Sequence, residues 1–138
     1  MSNVLKSNRG ESPLQFLETA RNLELHIATS FSKFGKKYNF TLIQHIVNLS
    51  IEVLDNAKAA NSCFPRKDNE HEKQVRIDYV NKAIVAVEEL LSQLEIAMEI
   101  SYKYRFEIKS TVWEEAGRLC KDELKLLKGL KKRYEEAQ

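Results

Sequence analysis

Glycine and proline are scarce in this chain: its 138 residues include only 4 Gly and 2 Pro. Average usage is about 7% for glycine and about 5% for proline, so few residues are left to form turns. Leu, Glu, Lys, Ala and Ile dominate the composition instead. The chain therefore has the length of a single domain and should contain a few long elements.

Long apolar runs are absent as well. No stretch approaches the roughly 20 apolar residues that span a bilayer, and the polar segment 1–12 lacks the apolar core of a signal peptide. The two cysteines, Cys63 and Cys120, form no Cys-x-x-Cys pair and have no histidine at metal-ligand spacing. These absences predict a cytoplasmic protein with reduced thiols and no membrane partner.

Four segments carry the three- and four-residue apolar spacing of an amphipathic helix. The first segment holds Phe31 and Phe34 and stops at Gly35, while Pro65 lies in the most polar connection. Short connections require neighbouring helices to run antiparallel. We predict an all-α fold, an antiparallel up-down-up-down four-helix bundle in a single domain (13–138) after a flexible N-terminus (1–12). The predicted helices cover about 13–34, 41–61, 70–104 and 111–135.

Residues that could converge into a catalytic centre are few. The three histidines, His26, His45 and His71, lie on different segments and form neither a His-Glu-x-x-His pair nor the Glu-x-x-His pattern of di-iron bundles. Cys120 lies on the predicted apolar face of the last helix, where it is typical of a small core residue. We predict no enzymatic activity, no metal and no cofactor.

Charge is distributed unevenly along a chain whose net charge is only +2. Residues 81–101 contain one basic and four acidic side chains, whereas 118–133 contain seven basic and two acidic ones. Within the second segment, cations recur at spacings of 3, 4, 3 and 4, which places them in one row on a helix. This lysine row consists of Arg118, Lys121, Lys125, Lys128 and Lys132.

The lysine row has two possible explanations. A row of cations opposite the apolar face can be a solvated helix surface, and cations are favoured near a helix C-terminus by the macrodipole. Alternatively, the row binds the phosphates of RNA or DNA, or an acidic protein surface. Like charges at this spacing repel by a few tenths of a kcal/mol per pair, so a partner is plausible but not required.

Aromatic residues accompany the cations elsewhere in the chain. Lys36 and Lys37 form one basic turn, and Arg66 and Lys67 form another at the opposite end of the predicted bundle. The aromatic side chains near cations could stack on nucleic-acid bases, although we favour contacts between helices as their use. They are Tyr38, Phe40, Tyr102, Tyr104 and Phe106.

Two features suggest self-association. Glu123 falls within the apolar face of the last predicted helix, where a carboxylate needs a partner or an exposed position. The apolar face of the third predicted helix is also wider than the ~100° stripe that packs one side of a bundle helix. A homo-oligomer would satisfy both features.

The order of these features resembles the four-helix-bundle family that contains the accessory variability determinant proteins of diversity-generating retroelements and the proteins encoded in bacterial rRNA intervening sequences. The resemblance covers about residues 13–134. Six short segments, spread over all four predicted helices, carry the resemblance. They are 34–38 (FGKKY), 41–46 (TLIQHI), 56–61 (NAKAAN), 83–90 (AIVAVEEL), 94–97 (LEIA) and 113–119 (WEEAGRL).

This resemblance implies a homopentameric barrel with a basic surface that binds a reverse transcriptase and RNA or DNA and supports mutagenic cDNA synthesis. The lysine row would then contact the template or the polymerase. Two alternatives stay open: an rRNA intervening-sequence bundle of undefined role, and a helical adaptor that binds only protein through its third helix. The modest net charge of +2 departs from the strongly basic balance expected of the retroelement branch.

Overall fold

The computed structural model describes residues 13–136, and every regular element in that part of the chain is helical. A 3-10 turn (Lys36–Tyr38) and a π-helical turn (Asn39–Ile43) connect the first two α-helices. The predicted all-α, four-helix fold is confirmed, while the predicted flexible segment 1–12 lies outside the described residues. The four α-helices are α1 (Gln15–Ser30), α2 (Gln44–Ser62), α3 (Glu70–Tyr104) and α4 (Ser110–Glu136).

The helices pack in a ring. Each helix packs against the next one in the chain, and α4 packs against α1. Nε2 of His26, late in α1, lies 2.9 Å from the carbonyl oxygen of Val112, early in α4. At the other end Gln15 and Arg133 line one groove between the same two helices. The two helices are therefore antiparallel, as the short connections require of the others.

A single apolar core fills the interior of this ring. Burying one Leu, Ile or Val side chain stabilises a fold by about 1.5–3 kcal/mol, and every helix contributes such residues. None of the helices between residues 13 and 136 is both long and apolar enough to cross a lipid bilayer. The largest apolar side chains with almost no solvent exposure are Leu23, Ile27, Ile46, Leu49, Val53, Val80, Val87, Leu90 and Leu127.

The first helix ends earlier than the apolar spacing predicts. α1 stops at Ser30, and residues 31–34 form a turn in which the amide of Phe34 donates to the carbonyl of Phe31 over 3.1 Å. Both phenylalanines are buried. Phe31 packs on Trp113 at a ring distance of 5.2 Å, because the chain leaves the helix and turns toward α4. The prediction of a helix through residue 34 was wrong for this reason.

Gly35 suits the packing of that turn, because any larger residue would displace the ring of Phe106. A β-carbon at this position would lie 2.5 Å from Cζ of Phe106, closer than non-bonded carbon atoms approach. The ring of Phe106 in turn packs edge-on against Phe34 at 4.9 Å. Gly35 therefore lets the α1–α2 connection lie directly against the α3–α4 connection.

The third helix has the bounds that its sequence predicts. The Asn69 side chain accepts a 3.0 Å hydrogen bond from the amide of Glu72, which caps the N-terminus. Arg105 ends the helix in a left-handed conformation with φ of 57°, and the amide of Phe106 donates back to the carbonyl of Ser101. This is the hydrogen-bonding pattern of a helix C-cap.

The wide apolar face of α3 is explained within the chain, because α3 packs against α2 on one side and α4 on the other. Ile84 and Leu94, from different parts of that face, are both buried. Along the middle of the helix, Val85 and Ile96 lie outside the core and are 50% and 43% exposed. The width of the face therefore does not by itself require a second copy.

Candidate nucleic-acid interface

The fourth helix is strongly two-sided. Its buried positions recur every three or four residues and face the core. The lysine row occupies the opposite side, and all five of its members are exposed. The structure therefore brings the predicted site residues together on one ridge. The buried residues of α4 are Trp113, Ala116, Leu119, Cys120, Glu123, Leu127, Leu130 and Tyr134.

Arg118, the first member of the row, is already paired. Its Nε lies 2.8 Å from Oε1 of Glu115 and its Nη1 lies 2.9 Å from Oδ2 of Asp122. The hydrogen bond from Arg118 lowers the pKa of Glu115, so that carboxylate stays ionised. Two carboxylates thus offset the guanidinium charge, and Arg118 is a weaker phosphate ligand than its position suggests.

The other four members are lysines whose charges are not offset by an ion pair among the described residues. Among residues 13–136, no carboxylate lies within salt-bridge distance of Lys121, Lys125, Lys128 or Lys132. At 1.5 Å rise per residue the row from Lys121 to Lys132 is roughly 17 Å long. A duplex rises by ~3.4 Å along its axis for each phosphate of one strand, so the row spans an axial length of about five base pairs.

The two flanks of the row differ in charge. On the α3 side, Lys121 shares a groove with Glu95, which belongs to the exposed acidic surface of α3. On the α1 side, Lys125 and Arg133 line a groove of about 340 Å³ together with Asp122. A polyanion would be repelled from the α3 flank and accommodated on the ridge and its α1 flank.

Glu123 departs from expectation. It is fully buried, and neither carboxyl oxygen has a hydrogen-bond partner among the described residues. Burial raises the pKa of Glu123 to about 9, so the carboxyl group is neutral near pH 7. The prediction of a partner or an exposed position was wrong, because Glu123 has neither among the described residues.

His26 and the two cysteines could also carry chemistry, but His26 and Cys120 have structural surroundings. His26 hydrogen-bonds Val112, and its Nδ1 lies 3.3 Å from the Ser30 hydroxyl. Burial, and secondarily the neighbouring Glu123, raises the pKa of the Cys120 thiol to about 12, which leaves it protonated and unreactive. Cys63 is also a free thiol. No group of three or more metal-ligating side chains occurs between residues 13 and 136.

The aromatic residues singled out in the sequence divide into two groups. Tyr38 and Phe106 pack against the core at one end of the bundle, as we favoured. Phe40, Tyr102 and Tyr104 are instead 90%, 58% and 49% exposed. Tyr104 still contacts the rings of Tyr38 and Phe106 at 6.5 and 6.2 Å. Of these five aromatic residues, Phe40 and Tyr102 therefore lack the predicted ring contacts within the described part of the chain.

Comparison with known proteins adds nothing to this geometry: the chain matches no protein-family model, no curated protein and no solved structure. The resemblance to the retroelement and intervening-sequence bundles remains a prediction from the quoted segments.

Proposed function

We propose that this protein is a non-catalytic binding protein whose lysine row holds the phosphate backbone of a nucleic acid. The observation that supports the proposal is the row of four exposed lysines, Lys121 to Lys132, without a salt bridge among the described residues. The row lies on a helix whose opposite side is anchored in the core, so the charges are held in fixed register. No ion pair among the described residues uses these charges, whereas a polyanion would neutralise them and release counterions.

The resemblance to accessory variability determinant proteins extends this proposal. In that case the protein is a homopentamer in the cytoplasm, and the lysine row holds template RNA or DNA beside a reverse transcriptase during mutagenic cDNA synthesis. Light scattering coupled to size exclusion tests the assembly, because five copies of the 16.0 kDa chain give a particle of five times that mass. A particle of one or two chains would contradict the pentamer without affecting the lysine row.

Charge reversal in the lysine row tests the phosphate contact. We expect Lys121→Glu, Lys125→Glu and Lys128→Glu together to weaken RNA binding at low salt on the order of 100-fold, because three phosphate contacts become repulsive. The slope of log affinity against log salt should fall by about 2. Fluorescence anisotropy of a labelled structured RNA over a salt series measures both quantities.

The matched control reverses three other exposed lysines, Lys58, Lys67 and Lys82. This variant has the same net charge as the first but an intact lysine row. Equal losses in the two variants would show that only total charge matters, and RNA affinity that ignores salt would exclude the phosphate contact altogether.

A protein-only adaptor is favoured by one observation, the exposure of Val85 and Ile96 on the outer side of α3. Exposed apolar side chains on one helix face point to a protein-binding surface when they belong to a contiguous patch. The adaptor predicts no RNA binding by the wild-type chain in the same anisotropy series.

A further inference from the structure

The bundle end that carries the α1–α2 and α3–α4 connections is strongly basic. Residues 31–43 contain three lysines and no acidic residue, and 101–110 contain three cations and the single carboxylate Glu107. That carboxylate pairs with Lys33 at 3.7 Å. The two segments together carry a net charge of +5 in a chain of net +2.

Aromatic rings interleave with these cations. Tyr38 and Tyr104 have ring centroids 6.5 Å apart, and Nζ of Lys37 lies 5.1 Å from one ring and 5.4 Å from the other. Nζ of Lys103 lies 5.6 Å from the Tyr104 ring. Both ammonium groups thus lie over the Tyr104 ring, which also stacks on Phe106 at 6.2 Å and is 49% exposed. A base that stacks on the open part of this ring therefore brings its phosphates close to the two cations.

Phe40 is the most unusual residue of this end. Its side chain is 90% exposed, in the π-helical turn that follows Tyr38. Among the described residues its ring contacts no other aromatic ring and no cation, unlike Phe34 and Phe106 nearby in the fold. An apolar ring left in water gains free energy when another flat apolar surface covers it.

We infer that Phe40 and Tyr104 form a stacking platform for the unpaired bases of a single-stranded nucleic acid, with Lys37 and Lys103 binding the adjoining phosphates. Exposed aromatic rings combined with cations are what non-specific single-strand binding requires, since every base has a face that can stack. The bases of a duplex are already stacked and cannot use the platform. The platform is distinct from the lysine row but rests on the proposed function, because it adds a contact for the same class of ligand.

The cations and the exposed aromatic rings of the platform together favour a single-stranded nucleic acid as its ligand. An acidic peptide would satisfy the cations but has no reason to select exposed aromatic faces flanked by them. A single strand satisfies both, because its negative charges alternate with flat rings.

The test compares three probes: a short oligothymidylate, the same oligomer with its bases replaced by abasic sites, and a duplex RNA. We expect the double variant Phe40→Ala, Tyr104→Ala to bind the oligothymidylate about 10- to 100-fold more weakly than the wild type. Its affinity for the abasic oligomer and the duplex should be unchanged, since these probes have no free bases. Phe40→Trp should keep the wild-type preference for bases.

The matched control is Phe64→Ala, which removes another exposed phenylalanine (76%) from the α2–α3 connection at the opposite end. It should leave all three affinities unchanged. Equal oligothymidylate affinity in the wild type and the double variant would overturn the platform. Tighter binding of a polyglutamate peptide than of the oligothymidylate by the wild type would overturn it as well.

The lysine-row triple variant separates the two proposals, because it should lose affinity for all three probes. Loss of base-dependent binding in the double variant alone supports the platform. If the double variant instead binds both the duplex and the oligothymidylate as tightly as the wild type does, that outcome contradicts the platform but not the lysine row. If the wild type binds none of the three probes, the proposed function itself is wrong.

Discussion

Replacing Glu123 by leucine is expected to raise the free energy of unfolding near pH 7 by about 3 kcal/mol. The folded chain must keep this buried carboxyl group protonated, since its pKa is raised to about 9 by burial while the unfolded value is 4.5. Holding the proton at about pH 7 costs ~1.4 kcal/mol for each pH unit above the unfolded pKa. Leucine has no proton to hold and no oxygen atoms to leave unpaired.

The same pKa fixes the pH dependence of the wild type. The folded state binds one more proton than the unfolded state between the unfolded pKa of 4.5 and the folded pKa of about 9. Stability therefore falls as the pH rises through that window, by up to ~1.4 kcal/mol per pH unit, and this loss ends above the folded pKa. The Cys120 thiol, with its pKa raised to about 12, extends the loss into still more alkaline solution.

Urea unfolding followed by circular dichroism, repeated from weakly acidic to weakly alkaline pH, measures both effects. Glu123→Gln should lose the pH slope without the apolar gain of leucine, which isolates the proton. The matched control, Glu114→Gln, changes an exposed glutamate of the same helix and should keep the wild-type slope. A wild type whose stability does not depend on pH in this range would show that the carboxylate finds a partner in solution.

Helical periodicity predicted a large part of this molecule because it is a local property. The bounds of α3 follow from local signals, namely the Asn69 cap and a long run of apolar spacing. The lysine row follows from the same arithmetic, since residues three and four apart share a face wherever the helix holds. The same spacings of three and four bring Glu115 and Asp122 to Arg118, a pairing that the row of cations alone does not indicate.

Long-range contacts were not readable in this way. Nothing local brings Phe106 to Gly35 or Trp113 to Phe31, and both contacts lie in the turn that follows α1. The position of Glu123 on the apolar face of the last helix is a local property. Its lack of a hydrogen-bond partner among the described residues depends on what the other three helices present to it. The exposure of Phe40 likewise depends on how two distant connections share one end of the bundle.

The buried ring of Phe34, in the turn after α1, should be among the side chains whose removal destabilises the fold most. We expect Phe34→Ala to lower the free energy of unfolding by about 3–5 kcal/mol, the usual cost of deleting a buried phenylalanine ring. Phe34 is 3% exposed and packs against the rings of Phe31, Tyr38 and Phe106 at 6.4, 5.7 and 4.9 Å. Its removal opens a cavity between the two connections and deletes the edge-on contacts of Phe34 with these three rings.

Urea unfolding followed by the fluorescence of Trp113, whose ring lies 5.2 Å from that of Phe31, reports directly on this end of the bundle. The matched control is Phe40→Ala, which removes the same ring from a position that is 90% exposed and should change stability by less than about 0.5 kcal/mol. Equal effects of the two variants would mean that the α1–α2 connection does not pack on the core in solution. A large loss in the first variant and none in the second would show that the buried ring stabilises this end of the bundle and that the exposed ring does not.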